Sequence, residues 1–167
     1  MTGSLIARLD CWLAKNRPDY YALLRPGVTN AELDAFEAQF ATKLPTAFRE
    51  LYRWRDGQHP DSFLPLQFNR EFMTLEHVAS TKDMLDGMIA FDFDDPEYWR
   101  RSWVPFLHNG GGSYLCLDLT AEDGGQPCQL IGFWKQDRDR PVEFASVEAW
   151  LADLVDSMEA GVLELVE

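Results

Sequence analysis

The chain has 167 residues, 46% of them hydrophobic and 13% aromatic, and its 28 acidic against 15 basic residues give a net charge of −13. That apolar content excludes intrinsic disorder, and the length suits one domain built on one core. The acidic balance argues against a nucleic-acid partner, whose binding is driven by Lys and Arg neutralising phosphates. Two readings of the charge stay open, solubility and recognition of a basic protein.

The N-terminal MTGSLIARLDCWLAK carries a polar residue every few positions, and nothing later approaches a membrane span, so neither a signal peptide nor a membrane partner is expected and the compartment is read as cytoplasmic. Cys11, Cys116 and Cys128 are odd in number and lack a CxxC spacing. They read as reduced, mostly buried thiols rather than as a disulfide framework or a zinc site.

A first helix is predicted from Ser4 to Lys15, with Leu5, Leu9, Trp12 and Leu13 on one face. In TNAELDAFEAQF, Thr29 and Glu32 make a capping-box pattern, and Leu33, Phe36 and Phe40 supply the buried stripe. LPTAFRELYRWRDG predicts a third helix, with Pro45 at an early helical position and Gly57 as its left-handed stop. SFLPLQF and EFMTL read as short strands around a turn, LEHVASTKDMLDGMI as helical at least in part, and FDFDDPEYWRRSW as an acidic loop.

Trp103 to Phe106, Ser113 to Leu119 and Gln129 to Lys135 read as three strands of an antiparallel meander. The closing SVEAWLADLVDSMEAG places Val147, Trp150, Leu151, Leu154, Val155 and Met158 on one face, between Ser146 as N-cap and Gly161 as stop. The three glycines at 110 to 112 pose a choice between a phosphate cradle and a turn. A cradle needs a helix, with a Lys and a Ser or Thr after the last glycine; here SYLCLDL follows with the period of two of a strand. The glycines therefore turn the chain, with Asn109 and Gly110 suited to positive φ.

Four pieces in order carry a family resemblance: ELDAFEAQFATKLPTAFRELYRWRDGQ, SWVPFLHNGGGSYLCLDL, GQPCQLIGFWK and SVEAWLADLV. Over about residues 25 to 157 they resemble the SUKH (Smi/Knr) superfamily, which includes a yeast cell-wall-assembly regulator and many bacterial relatives. The resemblance implies a single α+β domain, a central and largely antiparallel sheet packed by helices. It also implies structural rather than catalytic roles for Gly57, Gly112 and Asp118, no cofactor, and a function in protein binding. Many bacterial members are similar to immunity proteins that neutralise a toxin, whereas the yeast member acts in cell-wall signalling. The acidic FDFDDPEYW stretch is a departure from a generic member.

Asp92, Asp94, Asp95 and Glu97 admit three readings: a solvated loop, a protein-binding patch, or hard oxygen ligands for Mg or Ca in a metal-dependent hydrolase. No EF-hand spacing supports the third. Tyr98 and Trp99, set between those acids and Arg100 and Arg101, combine aromatic anchors with charge as interface hot spots do. Trp54, Trp99, Trp103, Trp134 and Trp150 are also candidates for the core. His59, His77 and His108 lie far apart in sequence without an HxxxH or HExxH pattern and read as surface or turn residues, and no serine or cysteine sits in a nucleophile signature.

The expectation is thus a non-enzymatic binding domain, an immunity protein that occludes the active cleft of a cognate basic toxin domain. Asp92, Asp94, Asp95, Glu97, Tyr98 and Trp99 are its candidate partner-binding residues, the carboxylates standing where phosphates would sit. The alternatives are a regulator of cell-wall synthesis or a housekeeping scaffold, and the metal-dependent hydrolase.

Overall fold

The computed structural model describes residues 2–89, 91, 95 and 97–166. Helix α1 (Thr2–Asn16) buries Ile6, Leu9 and Leu13, a stripe rotated slightly from the expected one, with Leu5 and Trp12 half-buried at its margins. A short helix α2 (Pro18–Tyr21) opens on proline, whose missing N–H and fixed φ suit a first helical position, and it buries Tyr20. Strand β1 (Leu24–Pro26) follows.

Helix α3 (Asn30–Phe40) starts at the capping box legible in the sequence: Thr29 accepts from the Glu32 amide, and Glu32 accepts from the Thr29 amide. Helix α4 (Thr46–Trp54) has Pro45 as its N-cap rather than inside its first turn, and buries Phe48, Leu51 and Tyr52. It passes straight into β2 (Arg55–Gln58), which pairs antiparallel with β1.

Gly57 therefore does not stop α4, which already ends where Arg55 turns extended at φ −146°. Its φ is +65°, inside β2, and a Cβ there would lie 2.4 Å from the backbone carbonyl carbon of Met73. The positive φ read from the sequence exists, but it serves a close approach between two backbones.

The expected strand in SFLPLQF is absent: isolated bridges join Gln67 to Arg70 and Phe68 to Leu165. Pro65 has no amide to donate. EFMTL contributes only the two-residue β3 (Glu71–Phe72). Helix α5 (Leu75–Met88) takes up nearly the whole of the next segment, capped by Thr74 accepting from the His77 amide.

The meander comprises β4 (Trp103–His108), β5 (Tyr114–Asp118) and β6 (Gln129–Phe133), and is extended by β7 (Val142–Phe144), which periodicity does not reveal in three residues. With β3 it forms a five-stranded antiparallel sheet in the order β3-β4-β5-β6-β7. Helix α6 (Val147–Glu159) is capped by Ser146 and closed by Gly161 at φ +73°.

The sheet is buried on both faces. One face sends Val104, Phe106, Leu115, Leu117 and Leu130 into a large core with α1, α3, α4 and α6. The other carries Trp103, Cys116, Ile131 and Phe133, and a second, smaller cluster forms there with Leu85 and Trp99. A register shift between Pro105 and Leu107 lets Phe106 and Leu107 both reach the large core despite being neighbours. Trp150 is fully buried in the large core, its ring edge-on to Phe106 at 5.4 Å, whereas Trp134 is 39% exposed and is not a core residue.

Candidate functional site

The second face of the sheet has no helix from α1, α4 or α6 to cover it, and residues 97–102 lie across it as a strap that leads into β4. Asp92 and Asp94 fall outside the described residues, so the metal-ligand reading that needs them does too. Asp95 accepts from the Glu97 amide at 2.9 Å and faces Arg138 at 3.8 Å, while Glu97 is 3.9 Å from Arg100. Arg100 in turn pairs with Asp123 at 2.6 Å and Glu122 at 3.3 Å. The described acids of this stretch are thus set among guanidinium groups.

Trp99 is 1% exposed, which corrects its reading as a surface anchor. Its ring meets Trp103 at 5.4 Å and Phe133 at 5.3 Å, both edge-on, and its indole N–H donates to Asp86 Oδ1 at 2.8 Å. The cause lies in the sheet: WVPFL and LIGF are continuous apolar runs, and a strand apolar on both faces needs a cover on both. Tyr98 is half-buried, edge-on to Phe133 at 5.2 Å, and its hydroxyl donates to the Lys135 carbonyl at 2.7 Å. Arg140 stacks over Phe133 at 4.3 Å and Tyr98 at 5.1 Å and donates to the Tyr98 carbonyl. Tyr98 is thereby set against the end of β6 and Trp99 beneath the strap, while Asp95 and Glu97 lie beside Arg138 and Arg100.

Sequence reasoning missed the residue that clamps this strap. Lys82 on α5 is 1% exposed; its ammonium pairs with Asp86 at 3.1 Å and donates to the carbonyls of Arg101 and of Trp103, the latter at 3.0 Å. Desolvation lowers its pKa, and the Asp86 charge opposes that shift. A lysine on an amphipathic helix ordinarily reads as solvent-facing; the one visible hint was an aspartate four residues on.

Asp118 is 3% exposed and accepts from the Ala121 amide at 3.0 Å and from Gln129 Nε2 at 3.0 Å, tying down the loop between β5 and β6. Gly112 has φ +90°, and a Cβ there would meet the Lys135 side chain at 2.9 Å. In the β4–β5 turn, Asn109 Oδ1 accepts from the amides of Gly111 and Ser113, and His108 Nδ1 accepts from the Gly110 amide. These amides are held by side chains of the turn itself, so the loop is no phosphate cradle.

His77 and His108, read as unrelated surface or turn residues, meet edge-on with ring centroids 5.1 Å apart. Helix α5 and strand β4 bring them together, a juxtaposition no sequence spacing announces. Burial, with a smaller contribution from the His77 charge, lowers the His108 pKa to about 4. Burial also lowers that of His77. A folded-state pKa below the unfolded value means the unfolded chain binds more protons between about pH 4 and 6.5, so stability falls as pH falls through that window. Replacing His108 with Gln removes its share of this dependence and leaves that of His77: relative to wild type the variant gains on the order of 1 kcal/mol between pH 6.5 and 4, after discounting for the exposed part of the ring. Urea unfolding at several pH values measures the difference, and an imidazole NMR titration with a midpoint near 6.5 would refute it.

Among the described residues no three His, Cys, Asp or Glu side chains gather so as to hold a metal ion. Cys116 is buried and Cys128 half-buried, whereas Cys11 is exposed, contrary to its reading as a buried thiol. No helix among the described residues is long and apolar enough to cross a membrane.

Comparison with known proteins matches residues 27–153 to the model of the SMI1 / KNR4 family (SUKH-1). The cell wall assembly regulator SMI1 of Saccharomyces cerevisiae is 22% identical across 95% of this chain and 41% of its own length. The cell wall biosynthesis/cell cycle regulator smi1 of Schizosaccharomyces pombe is 23% identical across 92% of this chain and 35% of its own. The F-box protein SKIP16 of Arabidopsis thaliana is 47% identical over 54 residues, 32% of this chain and 12% of that one. The chain thus spans about two fifths or less of the length of these relatives.

Proposed function

Because this chain belongs to the SMI1 / KNR4 family (SUKH-1), we propose that it is a non-enzymatic protein-binding domain, an immunity protein that neutralises a basic toxin by occluding its active cleft. The observation that carries this reading is the disposition of charge. Of 15 basic residues against 28 acidic ones, Arg8, Arg49, Arg70, Lys82 and Arg100 are held in ion pairs within the molecule. Acids without a cation among the described residues face outward: Glu148 and Asp153 are exposed on α6, which has no basic residue of its own, beside Asp156 and Glu159, which share the single Arg8 of α1. Such a field attracts a basic partner from a distance and speeds its association in a salt-dependent way. Asp92 and Asp94 add to this negative charge, Asp95 and Glu97 lie near Arg138 and Arg100 at 3.8 and 3.9 Å, and in this reading all four carboxylates face the substrate cleft of the toxin.

Affinity capture from lysate of the native host, at low and then moderate salt, tests the reading. One basic protein recovered in near-equal amount, lost as salt rises, toxic when expressed alone and tolerated when co-expressed, is the expected result. A captured protein whose expression is harmless would overturn the immunity function.

A second reading has its own support. Two of the relatives are regulators of cell wall assembly or biosynthesis, which favours a regulatory domain of the same binding type. Recovery of wall-synthesis or signalling proteins in the same capture would select it.

A further inference from the structure

Helix α3 turns Glu32, Ala35, Phe36 and Gln39 to one side, residues at i, i+3, i+4 and i+7 of a single face. Opposite them, the first two turns of α5 present Leu75, Glu76 and Ala79, leaving a groove of about 310 Å³ between the two helices. Its floor is the edge of the large core, where Val28, Phe36 and Leu75 are 8%, 3% and 7% exposed. Ala35 and Ala79 keep the walls low.

The rim is acidic. Glu32, Asp56 and Glu76 border the groove, and none of the described residues lining it is basic. Asp56 accepts from the Leu75 amide at 2.7 Å. Burial holds its carboxyl above the ordinary range, with the charges of Glu32 and Glu76 adding to the rise and the Leu75 amide and Arg25 opposing it. A larger cleft beside Asp34, Glu37, Lys43 and Leu119 differs in this respect, because Arg49 pairs with both of its acids and Lys43 with Glu37. There side-chain cations pair the acids directly; among the described residues Glu32, Asp56 and Glu76 make no such ion pair, and only the Thr29 and Leu75 amides and the charge of Arg25 act on them.

We propose that the groove between α3 and α5 is the docking site for an amphipathic basic helix of a protein partner, which seats an apolar side chain on the floor and Lys or Arg side chains against Glu32, Asp56 and Glu76. The proposal rests on the protein-binding reading above and names where and what the domain binds. From Glu32 to Gln39 the face runs seven residues, roughly 10 Å at 1.5 Å per residue, which matches about two turns of a helix bound through i, i+3, i+4 and i+7 anchors. An extended acidic strand or a polyanion would meet like charge along the whole rim.

The probe is a fluorescein-labelled peptide of about 15 residues, Leu and Lys placed so that one helical face is apolar, compared with an isomer of identical composition whose pattern is scrambled. Fluorescence anisotropy is expected to give the patterned peptide at least about fivefold tighter binding than its isomer, and amide NMR shifts to centre on Ala35, Gln39, Glu76 and Ala79. Ala35→Trp, which fills the groove from an exposed position, and Glu76→Lys, which reverses one rim charge, should each weaken binding about fivefold or more while the thermal midpoint stays within a few degrees. Equal affinity for the two peptides, or shifts spread over α6 and the acidic surface generally, would overturn the proposal. Peptide binding left unchanged by both variants would also overturn it, whatever the lysate capture recovers. Capture of a harmless protein would overturn the immunity reading and leave the peptide result standing.

Discussion

Replacing Lys82 with alanine lowers stability by about 3–5 kcal/mol, the expected cost of leaving a buried partner charge alone. Three acceptors lose their donor at once: the Asp86 carboxylate and the backbone carbonyls of Arg101 and Trp103. Asp86 has an 11% exposed side chain and gains little water in compensation. For a chain of this size the thermal midpoint falls by roughly 10 °C or more. The double variant Lys82→Met with Asp86→Asn separates charge from packing: it removes both charges while keeping an amide oxygen for the Trp99 indole. It should recover part of the loss, because a matched neutral pair carries no stranded carboxylate. A loss under about 1 kcal/mol in the alanine variant, by urea unfolding, would mean that Lys82 reaches solvent.

Trp99→Ala has an effect of similar size, about 3–5 kcal/mol, from lost burial and the cavity left behind. The ring fills the space between Trp103 and Phe133, and the strap loses its main attachment to the sheet. Trp99→Phe keeps most of the packing and costs less, on the order of 1–2 kcal/mol for the smaller ring and the lost indole hydrogen bond to Asp86, whose carboxylate keeps Lys82. The pair of variants also separates the two roles open to this residue. A surface anchor replaced by alanine would leave unfolding unchanged and weaken only partner binding; the buried ring makes unfolding the first property to change. Lys82, Asp86 and Trp99 share one network, so combined substitutions will not add.

That network marks where sequence reasoning succeeded and where it stopped. Helices with a full apolar stripe and a side-chain cap were readable: α3 from Thr29 and Glu32, and α6 from Ser146 and its row of apolar residues. The hairpin turns were readable from glycine, β5 from its period of two, and β4 and β6 from short apolar runs bounded by those turns. Missed were β1, β2 and β7, each of three or four residues, too short for a period to show. Gly57 was assigned the right backbone conformation and the wrong reason, because its neighbour Met73 is sixteen residues away.

The candidate site was less readable than the fold. Tyr98 and Trp99 were singled out for their company of charges, yet burial of Trp99 follows from the apolar second faces of strands that lie after it in the chain. The groove on α3 and α5 combines residues from positions 28 to 79, none of them unusual alone. His77 and His108 became a pair only through the packing of α5 on β4.

Composition, caps and periodicity are local properties, and they specified the helices, the meander and the excess of negative charge, while the ordered pieces that resemble the SUKH superfamily implied the α+β class and the family. Which face of the sheet needed a cover, which lysine lost its water, and which carboxylates were left without a cation were decided by tertiary packing. Burial and pairing depend on distances between residues far apart in the chain, and no pattern along the chain records them.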